Sequence, residues 1–132
     1  MMSLAIGIDL GCTNIKGVLI DQGGKILEVE MCETNEQDHN HWKNVVAEMV
    51  LGFRKEAGRK VDCIGLSAPG LADANNECIT FMPGRLPGLE NYQWSQLIKE
   101  RVWVINDAHS ALMAEATFGT AIGLRHVVLL SL

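Results

Sequence analysis

The chain is expected to fold as a layered α/β domain around a mixed sheet, with three antiparallel strands first, parallel strands after them and helices on the faces. Three observations predict this. Short apolar runs closed by glycine-containing turns open the sequence, a helix-period segment follows at residues 42–57, and strand-like runs then alternate with helical ones.

Ala5-Ile6-Gly7-Ile8-Asp9-Leu10 is the first run, closed by Gly11, and Ile15 to Ile20 is the second, closed by Asp21-Gln22-Gly23-Gly24. Lys25 to Met31 alternates in part between polar and apolar residues, as a half-buried strand should, and Gly23-Gly24 supplies the positive φ that a tight hairpin needs. From Trp42 the apolar positions are Trp42, Val45, Val46, Met49, Val50, Phe53 and Ala57, the spacing of one helical face, and Gly58 is placed to end that helix. Val61 to Ser67 reads as a buried strand followed by the turn signal Pro69-Gly70. Leu71 to Glu90, with Pro83, Gly84, Pro87 and Gly88, sustains no period and reads as a long loop with a short strand at Cys78 to Phe81. A loop of that length inside a compact domain points to a binding site. Asn91 is placed to cap a short helix carrying Trp94, Leu97 and Ile98, and Val102 to Ile105 is the next strand. Asn106-Asp107 then opens an Ala-rich helix to about Phe118, with Ala108, Ala111 and Leu112 facing inward and Gly119 just past its end. His126 to Leu132 is the last strand.

The 132 residues amount to about one domain, and 48% hydrophobic content supplies a core. Eleven Lys and Arg against sixteen Asp and Glu give a net charge of −5 with no basic run, so nucleic acid is not the expected partner. No apolar stretch approaches the ~20 residues of a membrane span, and Met1 is not followed by signal-peptide order, so a soluble, cytoplasmic protein is expected. Cys12, Cys32, Cys63 and Cys78 form no Cys-x-x-Cys pair and read as reduced thiols, the last three as small buried hydrophobes. His39 and His41 lie in or beside the polar stretch Glu33–Asn40 and read as solvated loop residues rather than metal ligands.

Two segments can carry chemistry. Asp9-Leu10-Gly11-Cys12-Thr13-Asn14 forms the turn between two strands, where successive backbone amides can cup an anion, Thr13 can add a hydroxyl and Asp9 can hold a hydrated Mg²⁺; the same residues suit an ordinary hairpin with a polar turn. Asn106-Asp107, where a strand yields to a helix, puts a carboxylate at the positive end of a helix dipole and outside the carboxyl end of the sheet. That carboxylate could accept a proton from a substrate hydroxyl, or serve simply as a helix cap. His109 and Glu115 read as helix-surface groups. Neither Gly-x-Gly-x-x-Gly nor a Gly-Lys-Ser/Thr P-loop occurs, and Gly65-Leu66-Ser67-Ala68-Pro69 misses the nucleophile elbow because Pro69 replaces the second Gly, so Ser67 is not a hydrolase nucleophile.

In combination, Ile6-Gly7-Ile8-Asp9-Leu10-Gly11-Cys12-Thr13-Asn14-Ile15-Lys16-Gly17, Gly65-Leu66-Ser67-Ala68-Pro69-Gly70, Leu86-Pro87-Gly88 and Ile105-Asn106-Asp107-Ala108-His109-Ser110-Ala111 resemble, in that order, the ROK family of sugar kinases and repressors. The resemblance implies a ribonuclease-H-like (actin-like ATPase) fold of two lobes, with residues 1–125 as the N-terminal lobe and 126–132 as the first strand of a second lobe. It implies glucokinase-like, ATP-dependent phosphorylation of a hexose or amino-sugar hydroxyl, with a non-catalytic sugar-binding or regulatory domain as the alternative. By similarity, Asp9, Gly11, Cys12, Thr13 and Asn14 would hold the phosphates of ATP with Mg²⁺ at Asp9, Asp107 would be the general base, and Gly70 and Asn106 would hold sugar hydroxyls. The expected partners are a nucleotide and a small sugar.

Three departures from the family pattern carry expectations of their own. Cys12 stands where the family has Gly, which should weaken ATP binding. Arg85 stands where the family has Asn, either turned to solvent or facing a sugar that bears an acidic or phosphate group. The second lobe's motifs do not occur, so the chain by itself is expected to be inactive, and the apolar strand 126–132 is expected to pair two copies into a homodimer.

Overall fold

The computed structural model describes residues 2–132, and of His39 the backbone alone. Strand β1 (Leu4–Leu10) turns through Gly11, Cys12 and Thr13 into antiparallel β2 (Asn14–Asp21), which turns through Gly23 and Gly24 into antiparallel β3 (Ile26–Glu33). In the second turn Gly24 sits at φ +83° and the Asp21 carboxylate accepts from the Gly23 and Lys25 amides. Helix α1 (His39–Ala57) crosses over to β4 (Cys63–Ala68), parallel to β1. The small hairpin β5 (Leu71–Ala72) and β6 (Ile79–Phe81), then helix α2 (Trp94–Ile98), lead to β7 (Trp103–Asn106), parallel to β4, and helix α3 (Asp107–Phe118) follows directly. The main sheet has the order β3-β2-β1-β4-β7, the expected mixed α/β architecture.

Alternation along the strands sends Leu4, Ile6, Ile8, Leu10, Ile15, Leu19, Ile64, Leu66 and Val104 to one face, where α1 covers them with Trp42, Val45, Val46, Met49, Val50 and Phe53. Each of these large side chains contributes roughly 1.5–3 kcal/mol by leaving water. Gly17 lets the helix come this close, since a Cβ there would lie 2.6 Å from the Phe53 ring. The opposite face carries α3 alongside β4 and β7.

Several elements depart from expectation. Helix α1 starts at His39 because the Asp38 carboxylate accepts from the His41 amide, so His41 is an exposed first-turn residue rather than part of a loop. The expected solvation of the His39 side chain lies outside the described residues. Strand β3 is exposed on both faces apart from half-buried Cys32, because it is the edge strand and α1 covers little of it. Cys78 is buried as expected, but Cys63 is exposed at the start of β4. Gln93, not Asn91, precedes α2, and Asn91 instead turns the chain at φ +59°. Helix α3 buries no residue fully and Ala111 is exposed, so it lies more loosely on the sheet than α1. Residues 126–132 join neither sheet, and Val128 is 85% exposed; with no neighbouring strand to receive its hydrogen bonds, the run stays irregular. The strand edge on which pairing of two copies was expected is therefore not formed.

The turn after β5 is built on Asp73, whose carboxylate accepts from the amides of Glu77 (2.6 Å), Cys78 (3.0 Å) and Asn75 (3.3 Å). It presents Asn76, at φ +54°, to β7 through Val104 N to Asn76 O (2.9 Å) and Asn76 Nδ2 to Val104 O (3.0 Å). These amides, that of Cys78 foremost, hold the Asp73 carboxyl below its ordinary range. A carboxyl whose pKa is lower folded than unfolded stabilises above the unfolded value, and that contribution is lost as pH falls through the folded one. The melting temperature is therefore expected to fall once the pH drops below about 4, and to fall less steeply in Asp73→Asn, which starts lower at pH 7. Parallel melting curves against pH for the two proteins check this.

Candidate functional site

Strands β1, β4 and β7 run parallel, so their carboxyl ends Leu10, Ala68 and Asn106 meet at one edge of the sheet. Gly11–Asn14, Gly70 and Asp107, separated by many residues in sequence, all follow these ends. Open α/β sheets bind ligands at this edge.

The β1–β2 turn is closed by the Gly11 amide donating to Asn14 O at 3.0 Å. Two of its other carbonyls are drawn back by Thr34, which is fully buried and donates its hydroxyl to Gly11 O (2.7 Å) and its amide to Thr13 O (2.9 Å). With those oxygens engaged inside, the turn is a better host for an anion than a free hairpin. Thr34 went unseen in the sequence because the contacts that define it span more than twenty residues. Cys12 is half-buried against the core and keeps a negative φ, so its Cβ imposes no backbone strain. Burial, foremost, raises its thiol pKa, which makes it a poor nucleophile.

Asp9 and Ser67 are register partners on β1 and β4, and Ser67 Oγ donates to Asp9 Oδ1 at 2.8 Å. Ser67 is thus an orienting group for Asp9, a second role that the sequence did not disclose. One exposed carboxylate held by a hydroxyl suits Mg²⁺, which keeps most of its waters and takes one or two carboxylates plus phosphate oxygens. No cluster of three or more His, Cys, Asp or Glu set for a metal occurs among the described residues, so a closed metal cage does not fit.

Asn106 is the N-cap of α3, its Oδ1 accepting from the His109 amide at 3.1 Å, and its Nδ2 donates to Gly70 O at 2.6 Å. This one amide fastens the helix start to the turn after β4 and leaves a second N–H for a ligand. Gly70 holds φ +100°, and a Cβ there would fall 2.5 Å from Phe81 O. Asp107 occupies the first turn of α3, exposed, with Oδ1 accepting from the Ala108 amide at 2.8 Å. His109 is exposed as expected, while Glu115 caps the chain after α3 by accepting from the Thr120 amide and hydroxyl, both at 2.8 Å.

Arg85 does not point free into solvent. It forms a fork with Glu36, Nη2 to Oε1 at 2.7 Å and Nε to Oε2 at 2.8 Å, above an open hollow of about 420 Å³ lined by Met82, Leu86, Pro87, Gly88 and Glu90. The charges of Arg85, Glu36 and Asp107 all act on the Cys12 thiol, so the turn, the 82–88 loop and the start of α3 share one neighbourhood. Asp9, Cys12, Gly70, Asn106 and Asp107 are therefore gathered at one edge of the sheet, with Arg85 beside Cys12.

Comparison with known proteins places the fold. A family model described as the ROK family matches residues 5–132. A glucokinase from Thermotoga maritima is 30% identical over 132 residues, covering 96% of this chain and 41% of that protein. Among solved structures, a ROK family glucokinase from Streptomyces griseus in complex with glucose and AMPPNP superposes with a TM-score of 0.78 at 26% identity, covering 92% of this chain and 38% of that one. A putative N-acetylmannosamine kinase from Listeria monocytogenes gives a TM-score of 0.73 at 27% identity, covering 94% and 41%. The chain thus spans about two-fifths of the length of the curated relatives it matches. Matched by this family model over nearly all its residues and built on the fold of the family's sugar kinases, the chain belongs to the ROK family.

Proposed function

We propose that the chain forms one wall of an ATP-dependent sugar kinase that phosphorylates a hydroxyl of a hexose or amino sugar. The observation that carries this reading is the meeting, at one sheet edge, of an anion-suited turn and a carboxylate at a helix N-terminus. Gly11 to Asn14 would receive the nucleotide's phosphates, with Thr34 holding the turn in shape. The second N–H of Asn106 Nδ2 would donate to a sugar hydroxyl, and Gly70 O would accept from one. Asp107 would accept a hydrogen bond from the reacting hydroxyl, aim its oxygen at the γ-phosphorus and take the proton as the new O–P bond forms and the bond from the γ-phosphorus to the β–γ bridging oxygen breaks, releasing ADP. Mg²⁺ held near Asp9 would neutralise the phosphate oxygens.

The S. griseus structure was solved with glucose and AMPPNP, which supports both ligands for this fold. One wall neither excludes water nor clamps ATP, so the 132 residues by themselves are expected to bind more readily than they turn over. An ATP-consuming reaction and reduced thiols suit the cytoplasm. The test, made on a protein that carries both walls of the cleft, is ADP release on mixing with Mg·ATP and glucose, mannose or N-acetylmannosamine in turn; release that depends on one sugar supports the reading, and release indifferent to sugar opposes it.

A second reading, a sugar-binding domain without catalysis, is favoured by one observation, the Cys12 side chain within the turn. Removing it should open room for phosphate, so Cys12→Gly is expected to bind an ATP analogue up to about tenfold more tightly, ~1.4 kcal/mol. Equal affinities by titration calorimetry would show that Cys12 does not crowd the nucleotide.

A further inference from the structure

Glu36, in the connection between β3 and α1, has no part in the reaction above, yet donors from a distant loop converge on its carboxylate. Arg85 Nε donates to both oxygens (3.1 and 2.8 Å), Arg85 Nη2 to Oε1 (2.7 Å) and the Leu86 amide to Oε2 at 3.4 Å. Leu86 is buried and held at φ +48°, a backbone state that a residue with a Cβ rarely adopts. The Glu36 side chain is 21% exposed and that of Arg85 51%, so the pair sits at the site's rim with the carboxylate on the inner side. Arg85 in turn holds the Glu36 carboxyl below its ordinary range, so it stays ionised at neutral pH.

The fork occupies the Nε–Nη2 edge of the guanidinium, one of the two that can grip a carboxylate or phosphate side by side, and sets the Glu36 charge against that of Arg85. An anionic ligand would have to pull Glu36 away from Arg85 and from the Leu86 amide together. We propose that Glu36 is a positioning and specificity-determining residue that neutralises Arg85, so that this end of the site takes an uncharged sugar in preference to an acidic or phosphorylated one. The inference rests on the sugar-kinase reading for its ligand class, and it reverses the expectation that Arg85 by itself selects an acidic sugar.

The experiment is a titration of the ¹⁵N-labelled chain with glucose and with glucuronate, followed by amide shifts, for the wild type, Glu36→Gln, Glu36→Asp and the double variant Glu36→Gln with Arg85→Gln. The ratio of glucuronate to glucose affinity is expected to rise about tenfold in Glu36→Gln, to stay near the wild-type ratio in Glu36→Asp, and to fall back in the double variant. An unchanged glucuronate affinity in Glu36→Gln, or a gain that survives the loss of Arg85, overturns the proposal. A glucuronate gain at Arg85 without any glucose-induced shift at Gly70, Asn106 or Asp107 upholds the neutralisation and refutes the sugar-kinase reading instead.

Discussion

Replacing Asp107 by Asn is expected to lower sugar-dependent ADP release by about 10²–10⁴-fold, the usual worth of a positioned general base. Asn has the same shape and keeps an oxygen for the Ala108 amide, which Asp107 Oδ1 holds at 2.8 Å, so α3 should start unchanged. Its other terminal atom is an NH₂, which can still hydrogen-bond the sugar hydroxyl as a donor but cannot take its proton. The loss should therefore appear in kcat, with KM for the sugar moving only a few-fold. Asp107→Ala, which removes every hydrogen bond of this side chain to the sugar hydroxyl, should raise KM too. The assay belongs on a protein that carries both walls of the cleft. Turnover by Asp107→Asn equal to that of the wild type would assign the base elsewhere.

The largest expected loss of stability is at Gly70. Its φ of +100° is strained for any residue with a Cβ, and the added carbon would fall 2.5 Å from Phe81 O, 2.8 Å from Ile79 Cγ2 and 2.9 Å from Met82 Cβ. Both terms act together, so Gly70→Ala is expected to destabilise by on the order of 3 kcal/mol. Relief requires the β5–β6 hairpin to shift, and Gly70 O would then leave Asn106 Nδ2, now 2.6 Å away. The cap of α3, and with it Asp107, would lose its anchor to β4. A lowered urea midpoint together with weaker sugar binding is the expected outcome; an unchanged midpoint would mean that the turn has more room than its geometry shows.

The residues that proved legible in the sequence are those whose surroundings are local. Ile6, Ile8 and Leu10 alternate because each strand residue turns its side chain to the opposite face from its neighbour, and Trp42 to Phe53 repeat because one helical stripe meets the core. Asp9, Gly70, Asn106 and Asp107 were legible because they stand at ends of elements, where turns and caps require particular residues. Asp38 carried a readable cap signal three residues before His41, yet the polar composition around it read as loop. Strand β3 misled because alternation in sequence does not show whether anything covers the strand. Thr34, Ser67 and Glu36 were silent because each is defined by a contact 23 to 58 residues away, with Gly11, Asp9 and Arg85 respectively. His126 to Leu132 read as a strand from its apolar run, but a strand also needs a partner, and none lies beside it among the described residues.

If one sheet edge holds phosphate and sugar side by side, as proposed, a pair of amide-shift titrations of the ¹⁵N-labelled chain shows it most directly. Mg²⁺ with a non-hydrolysable ATP analogue is expected to move the resonances of residues 9–14 and 34. Glucose is expected to move those of Gly70, Asn106 and Asp107, and the two sets should meet at Cys12. Shifts from either ligand confined to the trough between the sheet and α3, at Gly7, Gly65 and Trp103, would place binding elsewhere and contradict the account.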